Sequence, residues 1–212
     1  MKTRPILFST PMVKAVLDGS KIQTRRIIKP QPIIDEDSGY VYFKDIRVDI
    51  HNWKALLIEH AKYQIGDIMW VRETFALLKY GKVEPFYGYK ADKGHYEKRK
   101  WKSSIFMPKE ACRIFLECID VRIERVQDIS EEDINNEGVI ISTLLKLSGK
   151  NEPVSFIPKG YFCTTFEERN SKIFAMAHWA SLWAKINGLD SWNENPYVFA
   201  YDFKRVEMPD NF

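Results

Sequence analysis

The 212-residue sequence has no stretch near the roughly 18 consecutive apolar residues of a membrane-spanning helix. Its N-terminus, MKTRPILFSTPM, has an apolar run of only three residues, too short for a secretory signal. The three cysteines, Cys112, Cys118 and Cys163, form no CxxC pair and leave one over, which argues against a disulfide scaffold. A soluble protein of a reducing cytoplasm, with no membrane partner, is expected. The four histidines, His51, His60, His95 and His178, are scattered without zinc-ligand spacing, so no metal site is expected. No phosphate-binding GxxxxGK[ST], no GxGxxG and no GxSxG occurs. That disfavours ATP-driven, nicotinamide and α/β-hydrolase chemistry, and no cofactor is expected. A net charge of +3 is too small to imply nucleic acid by itself, leaving that question to local clusters. There is no internal repeat and no low-complexity tract.

What is present is an ordinary globular composition, 45% hydrophobic and 14% aromatic. Ile6 to Phe8 reads as a strand. Thr10 reads as a helix N-cap with Pro11 behind it, and Met12, Val13, Val16 and Leu17 recur at helical spacing up to Gly19. Ile22 to Ile28 is extended, Tyr40 to Phe43 a short strand, and Trp53 to Lys62 a small helix. IMWVRETFALL follows the Gly66-Asp67 turn as one strand. Cys112 to Val126 is the longest strand; its apolar parity is even through Cys118 and odd from Ile119 to Ile123, which predicts a bulge or bend. Ser130 caps a short helix running to Glu137, with Gly138 closing it. A helix over about 171–186 stops at Asn187-Gly188, and Tyr197 to Val206 is the last strand. Irregularly spaced strands with few helices predict an α+β protein built on a small barrel. It reads as one domain over 1–212, with insertions at about 31–65, 79–104 and 139–168.

Four places carry more polar chemistry than packing needs. In GSKIQTRRIIKP, Lys21, Thr24, Arg25, Arg26 and Lys29 follow the first helix directly. Strand parity puts Thr24 with Arg26 and Gln23 with Arg25, while Lys21 lies in the preceding turn. A solvated basic strand edge would have the same composition. Glu137 closes its helix where the dipole is negative, which costs roughly 0.3–1 kcal/mol unless a cation or a role as base explains it. In GDIMWVRETF, Trp70 and Arg72 share one face and Glu73 takes the other, a grouping that suits a base or phosphate as well as a structural ion pair. KGHYEKRKWK interleaves Lys98, Arg99 and Lys100 with Trp101, as a nucleic-acid contact or a solvated loop would.

Four blocks in order, ILFSTPMVKAVLDGSKIQTRR, GDIMWVRETF, ERVQDISEEDINNEG and LWAKINGLDSWNENPYVFAYDFKRV, resemble the ASCH domain family, and most closely its larger bacteriophage and prophage members. The family is related to PUA domains, so the resemblance implies a small PUA-like barrel with a cleft beside the first helix. ASCH proteins have been proposed to bind RNA, and small members hydrolyse 4-acetylcytidine. Carried over by motif, the implied catalytic set is Lys21, Thr24 and Glu137, with Arg26 matching the arginine two residues after the threonine. Thr24 would attack the acetamide carbonyl or orient a water. Lys21 would act as general base, its pKa lowered by Arg25, Arg26 and burial, and Glu137 would pass the proton to the leaving amine. Arg26 would hold the oxyanion; Arg25, Trp70, Arg72 and Glu73 are further candidates for substrate contact.

Two classes of function stand at this point. One is a hydrolase acting on a modified nucleoside or on RNA. The other is a non-catalytic RNA-binding module of phage origin, using the same cleft and the basic loop.

Overall fold

The computed structural model describes residues 1–79, 84–92, 100–139, 172–210 and 212. The expectations for Lys98, Arg99 and nearly all of the 139–168 insertion fall outside those residues. Described elements form a mixed α+β fold with contacts grouped into two units. Unit 1 comprises Met1–Ile22, Tyr63–Asp120 and Asp202–Phe212; unit 2 comprises Gln23–Lys62 and Val121–Tyr201.

In unit 1, strand β1 (Thr3–Leu7) leads into helix α1 (Thr10–Leu17), which buries Val13 and Val16. Its N-cap is Ser9 rather than Thr10, one residue earlier than the sequence suggests, because Thr10 is already helical and Pro11 occupies the first turn. β1 pairs in parallel with β6 (Ile68–Arg72), and β6 pairs antiparallel with the start of β9 (Phe115–Arg125). The backbone N–H of Lys2 and that of Gln64 both donate to the Asp67 carboxylate, at 2.7 and 3.1 Å, fixing the turn that enters β6. IMWVRETFALL is two strands, not one: it breaks at Glu73-Thr74, and β7 (Phe75–Leu78) pairs with β8 (Phe86–Tyr89) as a separate ribbon. β8 therefore lies inside the stretch read as an insertion at 79–104. Phe75, Met107 and Ala111 form a small core beneath this ribbon, with Tyr87, Tyr89 and Cys112 packed on it.

In unit 2, β2 (Gln23–Ile27) precedes a three-stranded antiparallel sheet of β3 (Ile33–Asp35), β4 (Tyr40–Phe43) and β5 (Ile46–Asp49). Only the middle strand shows in the sequence pattern, since all four of its residues, YVYF, are strand formers, whereas β3 and β5 include Asp or Arg. Helix α2 (Trp53–Ile58) follows. Beyond β9 come α3 (Glu131–Asn136), α4 (Lys172–Asn187), α5 (Leu189–Asn193) and β10 (Tyr197–Val206). Trp179, Trp183, Trp192 and small alanines of α4 pack with Val126, Ile134 and Val198 into the larger core. Two of the indoles have partners: Trp179 donates to the Val126 carbonyl at 3.3 Å and Trp183 to Ser191 Oγ at 3.0 Å.

The main sheet has the order β1-β6-β9-β10-β2, and β9 and β10 each run from one unit into the other. Along β9, Phe115, Leu116 and Cys118 are buried, Ile119 and Asp120 are exposed in succession, and burial resumes at Val121 and Ile123. The parity change is where the sequence puts it. Ile119, however, lies on neither buried face and is 46% exposed.

This pattern generates a test. Ile119→Thr should change stability by less than about 0.5 kcal/mol. Val121→Ala, two residues on, should cost about 2 kcal/mol through lost burial and a residual cavity. Urea midpoints at unchanged m-value read both.

Candidate functional site

Lys21 belongs to unit 1. The chain leaves α1 through Asp18, whose carboxylate accepts from the Ser20 amide at 3.0 Å and the Ser20 hydroxyl at 2.6 Å. Gly19 makes the turn at φ +82, a conformation that glycine adopts without strain. The Lys21 amide then donates back to the Ala15 carbonyl at 2.9 Å, tying the residue to the helix end. Lys21 is 2% exposed, and its Nζ lies 5.6 Å from the centroid of the Phe8 ring.

The remaining residues of the cluster lie in unit 2. Gln23, Thr24 and Arg25 are buried in succession, so both faces of β2 are covered, and strand parity does not separate buried from exposed side chains here. Arg26 is half-buried. Arg25 has all three guanidinium nitrogens engaged. Its Nε donates to Glu124 at 2.6 Å, Nη1 to Glu137 at 3.1 Å and to Gln23 at 3.2 Å, and Nη2 to Asp133 at 3.0 Å. Its side chain has no solvent exposure, and the Trp179 ring lies 5.9 Å from Cζ. Arg122 adds a second guanidinium, 2.9 Å from Asp133 and 3.3 Å from Glu124.

Each carboxylate reaches this cluster for a local reason. Glu124 and Arg122 alternate on β9 with the buried Val121 and Ile123, so they share the opposite face. Ser130 Oγ accepts from the Asp133 amide at 3.1 Å, starting α3 so that the Asp133 side chain meets both arginines. Glu137 is the residue that caps the end of α3, one place beyond the last helical residue Asn136, and Gly138 turns the chain at φ +85. A carboxylate there faces the negative helix end, and Arg25 supplies the offsetting cation. Glu137 is 6% exposed. Burial pushes the Asp133 pKa up, but the Gln23 hydrogen bond and the charges of Arg25 and Arg122 outweigh it and hold the carboxyl below the ordinary value.

A second polar cluster lies wholly within unit 1. Glu73 is 1% exposed and takes a bidentate pair from Arg113, at 2.8 and 3.1 Å. Arg113 also meets Asp92 at 2.7 Å and stacks 3.9 Å from the Tyr89 ring centroid. Glu73, a substrate-contact candidate by sequence, is thus held in an internal ion pair. Burial raises its pKa despite Arg113. Trp70 and Arg72 share a face as expected, with Arg72 Cζ 5.7 Å from the indole and Nη2 donating to the Ile105 carbonyl. Lys100 is exposed and Trp101 half-buried.

Sequence reading missed Arg113, Arg122 and Glu124 as partners, and took Asp133 only as a favourable first-turn acid. The alternation of Arg122 and Glu124 against Val121 and Ile123 is the signal that could have found two of them. Among the described residues no three His, Cys, Asp or Glu side chains are grouped to hold a metal ion. Cys112 and Cys118 are free thiols with pKa values pushed up by burial, to about 11 and about 12. At neutral pH they stay protonated and are poor nucleophiles.

No protein-family model, no curated protein and no solved structure matches the chain.

Two outcomes follow from the clusters. Arg25→Ala should cost about 3–5 kcal/mol, because it takes this cation from the buried Glu137 and leaves Asp133 and Glu124 with the Arg122 cation alone, whereas Arg122→Ala, at a partly exposed pair, should cost about 1 kcal/mol. Urea denaturation of both variants tests the difference. The pH dependence has opposite signs at the two sites. Asp133 has a lowered folded-state pKa, so its contribution is full above about pH 4 and disappears as pH falls through the depressed value. Glu73 has a raised one, so the native state holds its proton longer and this site loses stability as pH rises above the ordinary glutamate value. Stability measured from about pH 2 to 7 should therefore gain a steeper rise with pH in Glu73→Gln than in the wild type.

Proposed function

We propose that the chain is an ASCH-type protein that recognises a nucleobase, nucleoside or RNA through Lys21, Thr24, Arg26 and Glu137, and hydrolyses an exocyclic amide of the 4-acetylcytidine kind. One observation carries the reading. Eight polar or charged side chains are buried among the described residues, and five of them are Lys21, Gln23, Thr24, Arg25 and Glu137. Burying such groups costs free energy, which partners must offset. Three of the five, Lys21, Thr24 and Glu137, are the catalytic set that the ASCH resemblance singles out.

In this reading the Thr24 hydroxyl, or a water it orients, adds to the amide carbonyl, and Lys21 accepts the proton that is released. Arg26 stabilises the oxyanion. Glu137, positioned by Arg25, relays that proton from Lys21 to the exocyclic nitrogen as the C–N bond breaks. A water supplies the second oxygen of the carboxylate, either as the nucleophile itself or by hydrolysing the acetyl ester of Thr24, so the products are an amine and a carboxylate. The fold is then a PUA-like barrel enlarged by insertions, and the protein works in the cytoplasm of a bacterial host as a phage or prophage product.

Incubation of the protein with 4-acetylcytidine, with cytidine release followed by chromatography, tests this directly. Lys21→Ala and Glu137→Gln should each lower the rate at least about 100-fold, as loss of a general acid or base does, with the folded state checked by circular dichroism. A well-folded wild type that releases no cytidine sinks the hydrolase reading. Salt-sensitive RNA binding lost in Lys21→Ala would then favour the non-catalytic module.

A further inference from the structure

We propose that unit 1 carries a surface for a single-stranded polynucleotide, formed by Trp70, Arg72, Phe106, Lys109 and Phe212. The inference goes beyond the hydrolase reading and does not depend on it. Strand β6 presents Trp70 and Arg72 on one face, both half-buried, with the guanidinium beside the indole. Opposite Trp70 on β9 is Phe115. Phe212 packs edge-on over both, with ring centroids 6.0 Å from Trp70 and 4.6 Å from Phe115. Lys109 Nζ lies 4.3 Å from the centroid of the Phe212 ring, so cation and aromatic alternate along this face.

The segment that supplies Lys109 strengthens the case. From Lys100 to Lys109 the sequence KWKSSIFMPK holds three lysines and no acid. Its 3-10 turn, Ser104–Phe106, leaves Ile105 57% and Phe106 72% exposed, and the Ile105 carbonyl accepts from Arg72, which anchors the turn beside β6. A large aromatic left this open, among cations, offers a ring for base stacking and charge for the phosphates. An open cavity of about 640 Å³ shares Phe115 with this face and is bordered by Arg205, Glu207 and Met208 and by Arg113, which is held by Glu73 and Asp92.

Charge distribution selects the partner. Lysine and arginine outnumber the acids in unit 1, while acids outnumber them in unit 2. The sheet of β3 to β5 also exposes apolar side chains, Ile33 and Tyr42. Its segment, however, holds Asp35, Glu36, Asp37, Asp45 and Asp49, which would repel a phosphate backbone.

The test is fluorescence anisotropy with labelled twelve-nucleotide oligouridylate and oligothymidylate, titrated from about 50 to 300 mM salt, with heparin as a polyanion lacking bases. No reactive amide is present, so the result is independent of hydrolysis. Neither stacking nor the cations read the sugar, and binding of either oligonucleotide supports the surface. Phe106→Ala should weaken binding at least about fivefold. Lys109→Gln should reduce the slope of log affinity against log salt by about 0.7. Both side chains are exposed, so both variants should keep the wild-type melting temperature. Absence of binding at low salt, wild-type affinity in both variants, or equal affinity for heparin would overturn the proposal.

Discussion

A guanidinium with no solvent contact must have its charge matched inside the protein, and Arg25 imposes that demand on unit 2. Three separate pieces of chain answer it: Glu124 from β9, Asp133 from the first turn of α3, and Glu137 from the end of that helix. The arrangement explains why a six-residue helix, too short to stand alone, is held at both ends. Ser130 starts it, Gly138 turns the chain out of it, and Arg25 bonds to carboxylates at each extremity. The β2 strand, the far half of β9 and the end of α3 are joined through this one side chain. An apolar residue at position 25 would leave three carboxylates with one guanidinium, that of Arg122, which reaches Glu124 and Asp133.

Much of this organisation is legible in the sequence where periodicity is long or chain reversal needs a special residue. β4 and β10 have the boundaries that alternation predicts, and the change of parity in β9 falls next to Cys118. α4 stops at Asn187 before a positive-φ glycine. Failures share a physical cause. β3, β5 and β8 are three or four residues long and, unlike the equally short β4 (YVYF), are not made wholly of strand-forming residues, so their pairing is decided by tertiary contacts rather than by pattern. The break after β6 falls at Glu73, whose carboxylate is drawn into a buried pair with an arginine forty residues away. No local pattern carries that information.

The same limit applies to the candidate site. Lys21, Thr24 and Glu137 were visible as residues that packing explained poorly, and all three prove buried. Which arginine meets Glu137 was not legible. Arg25 and Arg26 are adjacent and chemically alike, yet Arg25 takes the carboxylates and Arg26 is half-buried. Similarly, Glu73 and Arg72 are neighbours with divergent fates, one in an internal ion pair and the other beside an indole. Charge of a given sign at a given position sets what a side chain can do, while the partner brought by the fold decides what it does.

Both units are discontinuous in sequence. Unit 1 takes its chain from three separated segments and unit 2 from two. During synthesis, the first twenty-two residues leave the ribosome long before Asp202–Phe212, which they require to complete their sheet. Unit 2 likewise waits for Tyr201. Neither can finish early and shelter the other, so both stay open until the β10 segment has emerged. For a nascent polypeptide of this aromatic content, that delay makes the interval before β10 emerges the moment of greatest exposure to misassociation.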